Sequence, residues 1–169
     1  KVNDLVVATI EDVLTSGWFV SYGGSKYAML GVRNYSMRSP NVDDLSTLLN
    51  VGDVILAQVI KVVKGNTVEL SLIGNGLKKL SNGRIMHVNP SKVPRIIGKQ
   101  GSMISMIKDA TNCRITVGQN GCIWLYGPDP EMEMLAIETI KKIEELAHTS
   151  GLTDLIKGFL DSRVGKKDV

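Results

Sequence analysis

The feature that most restricts the fold is a pair of short helical patterns joined by only four residues, Gly-Lys-Gln-Gly at 98–101. The first pattern covers Pro90–Ile97, and the second covers Ser102–Ala110 with its apolar side chains on one face. So tight a turn requires glycine, because glycine adopts positive φ and lets another backbone come close. We therefore predict two helices with a glycine loop exposed between them.

Strands and a further helix are predicted around this pair. The strand patterns lie at Arg84–Val88, Cys113–Val117 and Cys122–Tyr126. A long amphipathic helix is predicted over Pro130–His148, entered through Asp129 and Pro130. Residues 84–149 therefore read as a βααββα domain, followed by a short helix and a charged tail over 150–169.

The first part of the chain predicts a small β-barrel over residues 1–73. Five strand patterns are separated by turn signals, at Leu5–Val13, Trp18–Tyr22, Tyr27–Val32, Val54–Val63 and Thr67–Leu72. Five short strands in about 70 residues are typical of a barrel of the OB type. The Gly- and Asn-rich stretch 74–83 is predicted to be the linker between the two domains.

Charge is distributed unevenly along the chain, although the net charge is only +3. No carboxylate occurs between Ser71 and Lys108. The same stretch contains seven basic residues: Lys78, Lys79, Arg84, Lys92, Arg95, Lys99 and Lys108. A stretch that has many Lys and Arg residues and no Asp or Glu indicates a surface that binds a polyanion, rather than one that is only solvated.

The glycine loop itself is suited to the sugar–phosphate backbone of a single strand. The N–H groups and the positive dipole end of the second helix face the loop, Lys99 adds a mobile cation and Gln100 a neutral donor. Base contacts are expected from an apolar groove beside the loop, which Val93, Ile96, Ile97 and Ile115 would line. The predicted RNA-binding residues of this region are Lys92, Arg95, Ile96, Ile97, Gly98, Lys99, Gln100, Gly101 and Ser102.

Residues 84–148 resemble a KH domain of type I, through the runs VPRIIGKQGSMISMI, ATNCRITV and GCIWLYG. The resemblance implies a domain that clamps about four nucleotides of single-stranded RNA or DNA, with the glycine loop on the backbone. Pro94 stands where many KH domains have glycine, and Ser105 replaces a common lysine. These departures imply a stiffer groove floor and one phosphate contact fewer.

Residues 3–72 resemble an S1-type OB domain, through SGWFVSYGG, YAMLGV, VGDVILAQV and VELSL. Of the family's exposed RNA-stacking side chains only Phe19 is retained, since Ser16, Gly31 and Glu69 occupy the other positions. Strand alternation puts Trp18 on the opposite face from Phe19, so Trp18 is predicted to be core. Further candidates for RNA or pore contacts in this domain are Arg33, Arg38 and Lys64.

An S1 domain followed by one KH domain resembles the RNA-binding cap subunits of the archaeal exosome over nearly all of the chain. That family carries a small β-rich N-terminal domain, which implies further residues upstream of Lys1. The resemblance implies a non-catalytic subunit that recruits single-stranded RNA and guides it to the pore of a ring of RNase PH-like subunits. Three caps sit on each ring, and the ring degrades RNA from the 3′ end with phosphate.

Several other functions are weighed against this one. A nuclease would need clustered carboxylates or a histidine acid–base pair, and the adjacent carboxylates at 11–12 and 43–44 lack a partnering motif. A free-standing RNA-binding factor in translation or transcription, or a protein-interaction scaffold with a degenerate KH domain, stays open.

The sequence predicts neither a cofactor nor a metal site. The two cysteines and two histidines do not have zinc-ligand spacing. No apolar stretch is long enough to span a membrane and no signal peptide opens the chain, so we expect a cytoplasmic protein with reduced thiols.

Overall fold

The computed structural model describes residues 2–23, 26–37, 43–63 and 67–164. The chain divides into two compact units. The first comprises Lys1–Ser81 with Gly118–Cys122, and the second comprises Asn82–Val117 with Ile123–Val169.

The first unit contains the predicted barrel. Its strands are β1 (Leu5–Val13), β2 (Gly17–Gly23), β3 (Lys26–Gly31), β4 (Val54–Val63), β5 (Thr67–Ser71) and β6 (Lys78–Leu80). They are ordered β1-β2-β3-β5-β4-β6, and β1 also pairs with β4, which closes the first five strands into a ring. The pairing of β3 with β5 is parallel, whereas the other pairings are antiparallel. The prediction of a five-stranded OB-type barrel is confirmed.

Alternation along β2 decides which side chains fill the barrel. Trp18 and Val20 are fully buried, whereas Phe19 between them is only partly buried. The Trp18 indole N–H donates a hydrogen bond to the Leu49 carbonyl oxygen at 2.7 Å, so the polar atom of this buried ring has a partner. The prediction that Trp18 belongs to the core is confirmed.

Truncation of Trp18 should therefore destabilise the barrel strongly. Trp18→Ala removes a fully buried ring, and we expect the free energy of unfolding to fall by about 3–5 kcal/mol. Trp18→Phe keeps most of the ring and loses the hydrogen bond to Leu49, so its cost should be clearly smaller. Phe19→Ala on the outer face is the control, and urea unfolding followed by circular dichroism ranks the three variants. A larger loss for Phe19→Ala than for Trp18→Ala would contradict the assignment of faces.

The predicted linker contains a strand. Lys78, Lys79 and Leu80 of β6 pair with Leu56, Ile55 and Val54 of β4, respectively. Leu80 is buried, and Lys79 forms an ion pair with Asp53 at 3.2 Å. The strand forms because β5 pairs only with the later part of β4, from Gln58 onward. The start of β4 pairs with β1 on one edge, and β6 supplies partners for the backbone groups on its other edge. Residues 78–80 therefore belong to the sheet rather than to a free linker.

The polar turn at 118–122 is part of the first unit. The Asn120 amide nitrogen donates hydrogen bonds to the carbonyl oxygens of Val7 and Tyr22, at 2.9 and 2.5 Å. The Leu5 N–H donates to the Gln119 side-chain oxygen at 2.7 Å, and the Gln119 N–H donates to the Leu5 carbonyl at 2.7 Å. These two side chains therefore satisfy backbone groups of β1 and β2.

The second unit has the predicted element order. It contains β7 (Arg84–His87), α1 (Val93–Ile97), α2 (Ser102–Thr111), β8 (Arg114–Val117), β9 (Cys122–Tyr126, whose first residue belongs to the first unit), α3 (Pro130–Glu145) and α4 (Leu152–Val164). The three strands are ordered β7-β9-β8. The βααββα prediction is confirmed. Helix α3 ends at Glu145 rather than at His148, because Leu146 leaves helical geometry, and α4 continues to Val164.

Helix α3 is positioned by capping and burial. The Asp129 carboxylate accepts a hydrogen bond from the Met132 N–H at 2.9 Å, and Pro130 opens the helix. Leu135, Ile140 and Ile143 then lie in the core of this unit, together with Ile123 and Leu125 of β9. The 3.6-residue period that predicted the helix is thus the period of its buried face.

Both cysteines are buried and unpaired. Loss of solvation raises the pKa of the Cys113 thiol, and burial raises the pKa of Cys122 to about 11. Both thiols are therefore protonated at neutral pH. The described residues contain no helix that is long and apolar enough to cross a membrane.

A largely buried carboxylate joins β7 to α3. Arg84 Nε donates a hydrogen bond to Glu133 Oε1 at 2.9 Å, and the Gly127 N–H donates to Oε2 at 3.1 Å. The hydrogen bond from Arg84, with a smaller contribution from Gly127, lowers the pKa of Glu133 below its ordinary value of 4.5. This carboxylate consequently favours the folded state when it is ionised.

This ionised pair should make stability depend on pH in the acid range. A folded pKa below the unfolded value means that the contribution is complete above about pH 4.5 and is lost as pH falls through the folded pKa. We expect Glu133→Gln to lose about 1 kcal/mol of unfolding free energy at pH 7, since the amide still accepts from Gly127. Denaturant unfolding at several pH values should show that difference shrinking below pH 4.5. A constant difference would contradict the assigned role.

Candidate nucleic-acid interface

The glycine loop begins where α1 ends. Gly98 has φ 77° and ψ 173°, and its N–H donates a hydrogen bond to the Pro94 carbonyl at 2.9 Å. A tight turn over Lys99–Gly101 follows, and Gly101 has φ 76° and ψ 12°. Helix α2 then starts at Ser102, as predicted.

The two glycines are required for different reasons. A Cβ at Gly98 would lie 2.6 Å from the Met103 Cβ and 2.7 Å from the Met103 backbone nitrogen. Its φ and ψ also fall in a region that is essentially restricted to glycine. A Cβ at Gly101 would meet nothing within 4 Å, so only the left-handed backbone favours glycine there. Gly98 therefore permits close contact between the chain and the first turn of α2.

Alanine substitutions should separate these two roles. We expect Gly101→Ala to cost about 1–2 kcal/mol of unfolding free energy, the strain of a left-handed residue with a Cβ. Gly98→Ala should cost roughly 1–3 kcal/mol more, because α2 must also move away from the new methyl group. Thermal unfolding of the two variants in parallel measures the difference. Equal losses would mean that the contact with Met103 does not constrain the loop.

Gln100 adopts a left-handed backbone conformation, which is uncommon for residues other than glycine, asparagine and aspartate. Its φ is 56° and its ψ is 29°, so backbone at positive φ occurs at three of the four loop positions. The side chains of Lys99, Gln100 and Ser102 are exposed. The loop therefore presents one cation, one amide and one hydroxyl to solvent.

The apolar groove predicted beside the loop is mostly core. Val93 is 3% exposed, Ile96 is not exposed, and Ile115 is 5% exposed. Only Ile97 of the predicted set is partly accessible. Val93 and Ile96 point into the core because α1 is only one turn long and must bury apolar side chains there. The Ile96 side chain has no exposed surface in this structure, so its direct contact with RNA stays a prediction that this burial does not support.

Arg95 is a structural anchor. Its Nε donates a hydrogen bond to the Ala147 carbonyl at 2.7 Å, and its Nη2 donates to the Thr149 carbonyl at 3.0 Å. These carbonyls lie in the turn that follows α3, so the two hydrogen bonds fix that turn against α1. Arg95 thus holds the segment between α3 and α4, and its predicted contact with RNA stays a prediction.

The basic stretch is less concentrated in the fold than along the sequence. Lys78 and Lys79 lie in β6 of the first unit, where Lys79 pairs with Asp53. In the second unit Arg84 pairs with Glu133. For Lys92, Lys99 and Lys108, no ion pair is found among the residues that the structure describes. Of these three, Lys99 lies in the glycine loop itself and Lys92 directly precedes α1.

A ring pair lies on the outer face of the barrel. The rings of Phe19 and Tyr27 stack with centroids 4.9 Å apart and planes at 13°, and Tyr27 is 45% exposed. Tyr27 was not predicted, although its position opposite Ser21 on the neighbouring strand could have suggested it. Arg33 is exposed, whereas Arg38 and Lys64 lie outside the described residues. Within the described parts of the chain, no group of three or more His, Cys, Asp or Glu side chains could hold a metal ion.

The strand order and the glycine loop between α1 and α2 define a KH domain, which follows a small OB-type barrel in this chain. The family model described as KH domain matches residues 83–142. The exosome complex component Rrp4 of Pyrococcus furiosus is 44% identical over 97% of the chain, and that of Saccharolobus solfataricus is 38% identical over 99%. The chain belongs to the Rrp4 family of exosome complex components.

A solved structure agrees with this assignment. A crystal structure whose description names an "exosome complex RNA-binding protein" superimposes with a TM-score of 0.83 at 37% identity. The match covers 96% of this chain and 94% of that one. The chain spans 64% of the length of the Pyrococcus furiosus relative and 68% of the Saccharolobus solfataricus relative.

Proposed function

We propose that the chain is the RNA-binding part of a non-catalytic exosome cap subunit. In this function it recruits single-stranded RNA and guides it to the pore of a ring of RNase PH-like subunits. The glycine loop carries the proposal, because it exposes Lys99 and Gln100 on a backbone that no side chain at Gly98 obstructs. The names of the relatives, all exosome complex components, support the assembly.

The loop would hold phosphate rather than read bases. Lys99 offers a cation, and Gln100 and Ser102 offer neutral donors beside it. These groups suit phosphate oxygens, which every RNA sequence presents in the same way. An anchor of this kind binds many RNAs, as a subunit that feeds substrate to a separate catalyst requires.

The barrel would contribute a weaker contact. The stacked rings of Phe19 and Tyr27 offer an aromatic surface against which a base could stack. Glu69 lies beside this surface, opposite Met29 on one neighbouring strand and Lys61 on the other, so its charge is balanced and the strands offer no net cation for phosphate there. The barrel is therefore the secondary RNA contact, and the ring or other caps are its alternative partners.

Several caps on one ring would strengthen weak binding. One RNA held at a first cap meets the next at high effective concentration, so modest sites combine into tight binding. Catalysis would reside in the ring subunits. The proposed partners are thus single-stranded RNA, the ring subunits and the other caps.

A charge reversal in the loop tests RNA binding directly. Lys99→Asp should weaken binding of single-stranded RNA several-fold, because a carboxylate at this position repels phosphate. The slope of log affinity against log salt should also fall by roughly 0.7, the loss of one phosphate contact. Lys141→Asp is the matched control, since Lys141 is an exposed lysine of α3 outside the loop. Equal effects of the two substitutions in a fluorescence anisotropy titration would rule out the loop as the RNA anchor.

Association with the ring tests the cap assignment. The chain with its natural flanking residues should co-elute with an RNase PH-like hexamer from a related archaeon and increase the degradation of long RNA. The cap alone should leave RNA intact, with or without magnesium and phosphate. RNA binding without any effect on the ring would instead identify a free-standing RNA-binding factor.

A further inference from the structure

A cavity lies between the glycine loop and the start of α4. It has a volume of about 340 Å³, within the range of small-ligand sites. Gly98, Lys99 and Ser102 line it from the loop side, and Leu152, Thr153 and Asp154 line it from α4. Helix α4 lies beyond residues 83–142, which match the KH family model, so this wall is an addition to the KH domain.

The wall formed by α4 is held in place by contacts within the second unit. Leu152 is 4% exposed and packs in the same core as Met103. Arg95 anchors the segment before α4 through its hydrogen bonds to the carbonyls of Ala147 and Thr149. The cavity is therefore a fixed feature of the fold, formed between two anchored elements.

The lining of the cavity suits a nucleobase. Pro94, Met103 and Leu152 supply apolar surface, and the polar side chains of the lining are Arg95, Lys99, Ser102, Ser150, Thr153 and Asp154. Arg95 is engaged with the Ala147 and Thr149 carbonyls and Lys99 is assigned to the phosphate, so the two serines, Thr153 and Asp154 remain to orient a base. Asp154 is the cavity's carboxylate, and an ionised carboxylate only accepts hydrogen bonds. Adenine, cytosine and guanine carry an exocyclic amino group that donates to such an oxygen. Uracil has no amino group, and its single N–H lies between two carbonyl oxygens that the carboxylate repels.

We propose that this cavity receives the base of the nucleotide next to the phosphate held on the glycine loop. Asp154 then selects bases with an exocyclic amino group and disfavours uracil. This inference rests on the proposed function, since Lys99 must hold the adjoining phosphate. It adds a preference among bases, which the loop does not provide.

Oligocytidine and oligouridine of equal length test the preference, because their bases differ only at C4 and N3, where cytosine has an amino group and an acceptor and uracil has a carbonyl and an N–H. The full chain should bind oligocytidine about fivefold more tightly, the effect of one charged hydrogen bond to a base. Asp154→Asn should bring the affinity ratio close to one, since an amide donates to the uracil carbonyl as well as it accepts from cytosine. Asp161→Asn is the control, because it removes an exposed carboxylate from the same helix outside the cavity and should leave the ratio unchanged.

The results distinguish this inference from the proposed function. If the ratio of oligocytidine affinity to oligouridine affinity is the same in Asp154→Asn as in the unsubstituted chain, the proposed base pocket is overturned. The proposed function survives that result if Lys99→Asp weakens the binding of both oligonucleotides. Absence of RNA binding by the unsubstituted chain overturns both proposals. Circular dichroism melts of the two asparagine variants show whether each is folded. Should Asp154→Asn unfold, Asp154→Ala replaces it, and the same loss of the cytosine preference is expected.

Discussion

The close contact between the Gly98 backbone and Met103 is the constraint on which the second unit depends. Because no side chain stands between them, α1 ends and α2 begins within four residues, and Met103 enters the core at the first turn of α2. Lys99 and Gln100, which follow Gly98 in the loop, are exposed. The packing of Met103 and the position of the proposed phosphate anchor thus both depend on the absence of a Cβ at Gly98.

Most of the fold could be predicted because local patterns agree with the tertiary structure. Alternation placed Trp18 inside and Phe19 outside, and the helical period placed Leu135 and Ile143 in the core of α3. Strand β6 could not be predicted in this way. The run Lys-Lys-Leu has no strand period of its own and pairs only because the start of β4 lacks a partner on that side. Such a strand forms only because another strand of the sheet has an unpaired edge.

The candidate site was predictable in its loop and not in its surroundings. Two glycines at the right spacing located the turn, but nothing local shows that Ile96 faces the core and Ile97 does not. Arg95 finds its acceptors more than fifty residues later in the chain, at Ala147 and Thr149. Its anchoring role depends on the tertiary fold, as does the cavity whose second wall comes from α4.

The burial of Cys113 and Cys122 makes the chain behave chemically as if it contained no cysteine. Maleimides and disulfide reagents react with thiolates, whereas burial raises the pKa of Cys122 to about 11 and also raises the pKa of Cys113, so both thiols stay protonated at neutral pH. One cysteine introduced at an exposed site, for example Lys157→Cys on α4, would therefore carry a fluorophore without any prior removal of the natural thiols. The chain is therefore suited to site-specific labelling, and the binding of labelled RNA can be measured by energy transfer to that fluorophore.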